Sequence, residues 1–164
     1  MLTIQPATLA DWPEIERIYR EGIRTGHATF QTEDDIPTGE YWFNTRVPDQ
    51  IFKGVMDGEM VAWTALSPVS SRPVYRGVCE VSVYVSPAAH GQGIGSIMMG
   101  HLVAASEAAG IWTLQSSIFP ENESSIRIHE KHGFRILGRR EKIGQQYGIW
   151  RDTVLMERRS PLIL

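Results

Sequence analysis

The sequence predicts an α/β layered domain, a mixed sheet with helices on its faces. Three observations carry that prediction. Strand-like and helix-like segments follow one another in the order strand, helix, helix, three strands, helix, strand, helix, two strands. Val78–Val85 alternates strictly, with Val81, Val83 and Val85 on one face and Glu80, Ser82 and Tyr84 on the other, as a strand with one buried face does. Gly95–Ala109 places Ile97, Met98, His101, Leu102 and Ala105 on one stripe and stops at Gly110, the pattern of an amphipathic helix with a glycine end.

Taken in order, Leu2–Pro6 reads as a short first strand. Thr8 or Asp11 then caps a helix with Pro13 in its first turn, and Trp12, Ile15, Ile18, Tyr19 and Ile23 form its apolar face. Thr25–Pro37 is a loop carrying His27-Ala28-Thr29-Phe30, and Thr38–Val47 is a second short helix. Ile51–Met56 and Met60–Leu66 flank Asp57-Gly58, a turn dipeptide between two apolar runs, and so form a hairpin. Ser67–Gly77, with two prolines, is a loop before the alternating strand. After the glycine-stopped helix, Ile111–Phe119 is a strand and Asn122–His132 a helix closed by Gly133. Phe134–Lys142 and Ile149–Glu157 form a final antiparallel pair around a Gly144–Gly148 turn region.

The chain has 164 residues, 42% hydrophobic and 21% charged, which fits one soluble domain spanning 1–164 with a core of its own. A net charge of −3 with dispersed Lys and Arg lacks the concentrated basic face that nucleic acid or an anionic membrane requires. Cys79 is the lone cysteine, so neither an intrachain disulfide nor a cysteine metal cluster forms, and a reducing compartment is expected. The first ten residues lack a signal pattern and no apolar run reaches membrane length, so the expected location is the cytoplasm.

Chemistry concentrates where the alternating strand ends. Ser86-Pro87-Ala88-Ala89-His90-Gly91-Gln92-Gly93-Ile94-Gly95-Ser96 carries three alternate glycines into a helix start. The first N–H groups of a helix have no internal acceptor, the helix dipole adds positive charge there, and glycine lets the main chain approach an anion. Together they form a diphosphate cradle. The alternative is a glycine-rich connection with no ligand. The Walker pattern is absent, and the spacing Gly91-x-Gly93-x-Gly95 is not the dinucleotide fingerprint.

His90-Gly91-Gln92-Gly93-Ile94-Gly95 resembles the Arg/Gln-x-x-Gly-x-Gly/Ala turn of the GNAT acetyltransferase superfamily, with His90 where that family usually has Arg or Gln. The resemblance covers nearly the whole chain. It implies a mostly antiparallel seven-stranded sheet, flanked by about four helices, with a V-shaped splay between strands 4 and 5. It also implies acetyl-CoA as co-substrate, its diphosphate on the N–H groups of Gly91–Ser96 and its pantetheine arm along Val83, Tyr84 and Val85. Asn122 to Phe134 matches a second family pattern, which implies that Asn122 and Ser125 meet the CoA arm and that His129, two helical turns after Asn122, returns a proton to the leaving sulfur.

Arg72 to Val85 resembles the phosphinothricin N-acetyltransferase branch, as do Ala28-Thr29-Phe30 and the tail Gly148 to Met156. That likeness implies Glu80 as the base for the amine. It implies a small amino-acid acceptor bearing a phosphinate, sulfone, sulfoximine or arsinic-type group. Arg72 and Arg76 would meet its oxyanions, Phe30 and Tyr75 would wall its pocket, no metal would take part, and the assembly would be a homodimer. For Arg72 and Arg76 the alternative is a pair of solvated charges, and for Glu80 a surface strand residue. Three other functions fit the same segments: acetylation of a protein N-terminus or lysine, a CoA-binding module without catalysis, and a phosphate-binding regulatory domain.

Overall fold

Seven strands and four helices form in a computed structural model that describes residues 1–164. They are β1 (Thr3–Pro6), α1 (Trp12–Arg24), α2 (Gly39–Asn44), β2 (Ile51–Met56), β3 (Glu59–Pro68), β4 (Val78–Val85), α3 (Ile94–Ala108), β5 (Thr113–Ile118), α4 (Glu123–Lys131), β6 (Arg135–Gln146) and β7 (Ile149–Arg159). The sheet order is β1-β2-β3-β4-β5-β7-β6. Every neighbouring pair is antiparallel except β4 and β5. No helix is long and apolar enough to cross a membrane.

The β2–β3 hairpin turns at Asp57 and Gly58, both at positive φ (54° and 81°), the backbone that a two-residue turn between right-twisted strands requires. The last hairpin uses the same device at Tyr147 (51°) and Gly148 (77°), so its turn is two residues long and tighter than the Gly144–Gly148 region read from the sequence. The second helix is also shorter than expected. Thr38 caps it by accepting from the Tyr41 N–H, and it ends at Asn44.

The first helix has two parts. Thr8 and Asp11 close a capping box over a short 3₁₀ turn, and α1 proper begins at Trp12 with Pro13 behind it. Its buried face is Ile15, Ile18, Tyr19 and Ile23, packed with Trp42 and Trp63 on one side of the sheet. On the other side α3 and α4 cover Leu66, Cys79, Val81, Leu114 and Met156.

The buried stripe of α3 corrects the sequence reading. Ile94, Met98, Met99, Leu102, Val103 and Ser106 are buried, whereas Ile97 is 51% exposed. The reason is the start of the helix. A Cβ on Gly95 would lie 3.2 Å from Ile128 Cδ1 of α4, so this residue must face the neighbouring helix. Positions four, seven and eleven further on then share its face, and Ile97 turns outward.

A cluster of rings ties α1 to β4. Trp63 stacks on Tyr84 at 4.6 Å with an 11° interplanar angle, and Tyr19 lies 5.2 Å from Tyr84. Gly22 makes room for this, since a Cβ there would stand 2.6 Å from the Tyr84 ring. Gly22→Ala therefore destabilises. The helix-propensity gain of about 1 kcal/mol is outweighed by overpacking of about 1–3 kcal/mol against a ring that its neighbours hold in place. Urea denaturation is expected to show a lower midpoint with an unchanged slope.

Candidate active site

β4 and β5 pair for three residues only, Val78 with Thr113, Cys79 with Leu114 and Glu80 with Gln115. Beyond Glu80 the strands part, while β4 stays paired to β3 as far as Val85. The edge of β4 from Val81 onward thus faces a gap rather than a strand, and its free main-chain groups there are open to a ligand.

Two cavities meet at this gap. One, of about 450 Å³, is lined by Glu80–Tyr84 of β4, Ser116–Phe119 at the end of β5, Phe30, and Arg140, Ile143 and Gly144 of β6. The other, of about 310 Å³, runs along Tyr84 and Val85 to His90 and Gly95. Ala28, Val83, Tyr84, Asn122, Ser125 and His129 line both, so the point where they join is the point where His129 stands.

At the open end of the second cavity, the glycine turn presents its main chain. From Gly91 to Ser96 no backbone N–H donates within the chain, and the first helical bond runs from Ile97 N–H to the Gly93 carbonyl. Gly91 (φ 80°) and Gly93 (φ 74°) are left-handed, which is the reason for glycine at those two positions. A Cβ on either would meet nothing within 4 Å, so both face open space. Six consecutive free donors at the start of the 15-residue helix α3 form an anion site of the kind that a diphosphate fits. His90 points back into the strand, its Nε2 donating to the Val85 carbonyl at 3.0 Å. The Ser96 hydroxyl bonds His132 Nε2 at 2.9 Å, across to the end of α4.

Asn122 has two tasks. Its Oδ1 accepts from the Ser125 N–H (3.3 Å) as the N-cap of α4, and its Nδ2 donates to the His27 carbonyl (3.2 Å), which anchors the loop carrying Phe30. Gln146 donates to the Thr29 carbonyl (2.9 Å), and Arg151 donates to the Gly26 carbonyl while lying 3.5 Å over the Phe119 ring. Phe30 meets Phe119 edge-on at 4.8 Å and so walls the larger cavity.

His129 is 5% exposed. Its Nδ1 lies 2.7 Å from the Ser125 carbonyl oxygen, and a carbonyl only accepts, so Nδ1 carries the proton. Nε2 is buried with no partner in the chain. Burial pushes the imidazole pKa below its ordinary value, outweighing the Ser125 bond, and the nearby His132 adds to the depression. The neutral ring therefore presents a lone pair at Nε2. Glu80 is exposed, lines the larger cavity and has no partner within the chain. Cys79 beside it is buried, and desolvation pushes its thiol up, away from the thiolate a nucleophile needs.

The structure brings together Glu80, Val83, Tyr84, Val85, His90, Gly95, Asn122, Ser125, His129 and Phe30 along the two cavities. It does not bring Arg72, Tyr75 or Arg76 there. A proline-led 3₁₀ turn at Pro73–Tyr75 holds Arg72 over the Tyr75 ring (5.5 Å) and Arg76 over the Trp112 ring (5.4 Å). Arg140, Ile143 and Thr153 line the larger cavity and escaped the sequence reading. Arg140 and Ile143 stand where β6 shifts register between Arg140 and Gly144, around Lys142 at φ 46°, with Thr153 opposite Arg140 on β7, and nothing in the sequence marks that bulge.

The sequence pattern of the acetyltransferase (GNAT) family matches residues 12–134. The chain is 28% identical over 159 residues to an L-methionine sulfoximine/L-methionine sulfone acetyltransferase of Pseudomonas aeruginosa, covering 94% of this chain and 92% of that protein. A phosphinothricin acetyltransferase of Sinorhizobium meliloti, crystallised with AcCoA, superposes with a TM-score of 0.86 at 29% identity, covering 96% of this chain and 88% of that one. A ribosomal-protein-alanine N-acetyltransferase from Brucella melitensis superposes with a TM-score of 0.88 at 26% identity, covering 96% and 99%.

Proposed function

The chain belongs to the acetyltransferase (GNAT) family, and from that premise we propose that it moves the acetyl group of acetyl-CoA to the α-amine of a small amino acid of the phosphinothricin or methionine sulfone type. The observation that supports this most is the run of free N–H groups from Gly91 to Ser96, opening beside a gap in the sheet where Glu80 and His129 share one cavity. Bound there, acetyl-CoA supplies an activated acyl carbon. The chain's own residues do the rest.

The turn at Gly91–Ser96 holds the diphosphate, and the parted edge of β4 at Val83–Val85 takes the arm by main-chain hydrogen bonds. A β4 N–H polarises the thioester carbonyl. Glu80 takes the proton that the acceptor ammonium must lose, directly or through water, and gives it to solvent. As the N–C bond forms, the nitrogen sheds a second proton. His129 Nε2, unprotonated and unpartnered, receives that proton and passes it to the sulfur as the C–S bond breaks. His129 thus serves as a relay that starts empty, which refines the proton-donor role implied by the family resemblance. Transfer is direct, in a ternary complex, and no residue carries the acetyl group.

A cavity of about 450 Å³ walled by Phe30 and Ile143 has the size of a small-molecule site. The likeness to the ribosomal-protein-alanine enzyme supports a second reading, acetylation of a protein N-terminus. One assay separates them. Thiol release from acetyl-CoA is followed with phosphinothricin, methionine sulfoximine, methionine sulfone, an alanine-started peptide and lysine. The account expects turnover with the small amino acids and little with the peptide; the reverse pattern contradicts it, and no release with any amine would leave a CoA-binding module.

The cradle has its own test. Gly93→Val puts a β-branched residue at φ 74°, where its side chain strains the turn. The KM for acetyl-CoA is expected to rise about tenfold or more, corresponding to at least about 1.4 kcal/mol, while the KM for the amine changes little.

A further inference from the structure

Arg140 differs from every other arginine of the chain. Each of the others has an ion pair, a hydrogen bond or an aromatic ring against its guanidinium. Arg140 has none, and it lines the larger cavity. The carboxylate closest in sequence on the partner strand is already taken, because Asp152 accepts from Arg139 Nε (2.8 Å) and from the Lys142 N–H (2.8 Å). Glu80, the carboxylate in the same cavity, forms no ion pair with Arg140.

A second, independent observation sits directly across the strands. Arg140 pairs in register with Thr153 of β7, which also lines the cavity. Thr153 is buried, and its Oγ1 has no hydrogen-bond partner. A buried hydroxyl without a partner costs free energy that a ligand acceptor would relieve. Cross-strand partners project to the same face, so a guanidinium and an unsatisfied hydroxyl flank one spot. A planar fork of donors beside a single O–H matches an oxyanion, since a carboxylate or phosphinate offers two acceptor oxygens.

We propose that Arg140 and Thr153 form an oxyanion-recognition pair at the acceptor end of the cavity, selecting amines that carry a carboxylate or a phosphinate-like group. The inference rests on the acceptor class given above. It assigns the anion-binding task, which the family resemblance implied for Arg72 and Arg76, to residues that line the cavity. The bulge that disrupts β6 between Arg140 and Gly144 becomes functional in this view, because it shapes the wall that receives the acceptor.

Calorimetric titration of the full-length protein saturated with CoA tests the pair without turnover. Three probes separate the two anionic sources: L-phosphinothricin has both groups, (3-aminopropyl)methylphosphinate has the phosphinate alone, and L-norleucine has the carboxylate alone. Arg140→Met is expected to weaken L-phosphinothricin at least about tenfold, and Thr153→Val about threefold or more, both without change in acetyl-CoA affinity. A matching loss on just one of the single-anion probes identifies the group held. The proposal is overturned if Arg140→Met leaves all three affinities within about twofold of the wild type, or if the wild type binds none of them. Thr153→Val keeps the side-chain shape and guards against a folding artefact from Arg140→Met. The acetyltransferase reading fails separately, when probes bind but no amine releases thiol.

Discussion

Glu80→Gln is expected to lower kcat at pH 7 by about 10²–10⁴-fold while acetyl-CoA binds as before. The substitution keeps the shape of the side chain and removes its ability to take a proton. Glu80 suits this role because it is the last residue of β4 still paired to β5, held by Ser67 on one side and Gln115 on the other. The strand that carries it is paired on both sides at this point, and the gap opens one residue further on. The side chain lines the cavity with no partner in the chain, so its carboxylate is free for an ammonium. Raising the pH increases the fraction of acceptor that is already neutral, so the deficit of Glu80→Gln shrinks as pH climbs. A kcat profile from pH 6 to 10 for both proteins checks this. Equal turnover at pH 7 removes Glu80 from the mechanism.

His129→Gln is expected to cost about 10²–10³-fold in kcat, with the KM for acetyl-CoA little changed. The sign of its pH dependence follows from burial. Desolvation depresses the imidazole pKa below its ordinary value of 6.5, so the relay-competent neutral form predominates above that pH. Below it, kcat falls as Nε2 becomes occupied by a proton, and His129→Gln removes that limb of the profile. Stability follows the same sense. The unfolded chain takes up a proton near the ordinary value while the native state resists it. The contribution of His129 is therefore full above the unfolded pKa and is lost as pH falls toward the depressed folded one. A wild-type kcat that rises as pH drops through this range contradicts an empty relay and restores His129 as a donor from the start.

The parts of this site that local chemistry dictates were legible in the chain. Asp57-Gly58 supplies its own positive-φ turn, the valines of β4 alternate because one face is buried, and Gly91 and Gly93 occur where the backbone is left-handed. The family resemblance, rather than the order of elements, assigned Glu80, His129 and Asn122 to one site, and all three line the larger cavity. What depends on tertiary placement was not legible. The likeness to the phosphinothricin branch implied that Arg72 and Arg76 meet the acceptor, with a pair of solvated charges as the alternative; their guanidinium groups lie over the Tyr75 and Trp112 rings. Arg140 and Thr153 face each other across the last hairpin through a register shift that only the fold defines. Ile97 misled because helix rotation is set by Gly95 against Ile128, a contact between two helices rather than a period within one.

The tautomer of His129 was similarly out of reach. The family resemblance implied that His129 returns a proton to the leaving sulfur, but said nothing of which ring nitrogen carries one. The 2.7 Å contact to the Ser125 carbonyl commits the ring proton to Nδ1, the tautomer the proposed relay needs. The proposed relay therefore rests on one main-chain oxygen of α4, itself positioned by the Asn122 cap that also anchors the loop at His27.

The central claim is that acetyl-CoA lies with its diphosphate on the Gly91–Ser96 amides and its thioester in the gap between β4 and β5. A crystal structure of the protein with acetyl-CoA measures it directly. The account predicts diphosphate oxygens about 3 Å from these N–H groups and the sulfur beside His129 Nε2. A diphosphate bound elsewhere, or β4 and β5 zipped together past Glu80 around a cofactor held outside, contradicts it.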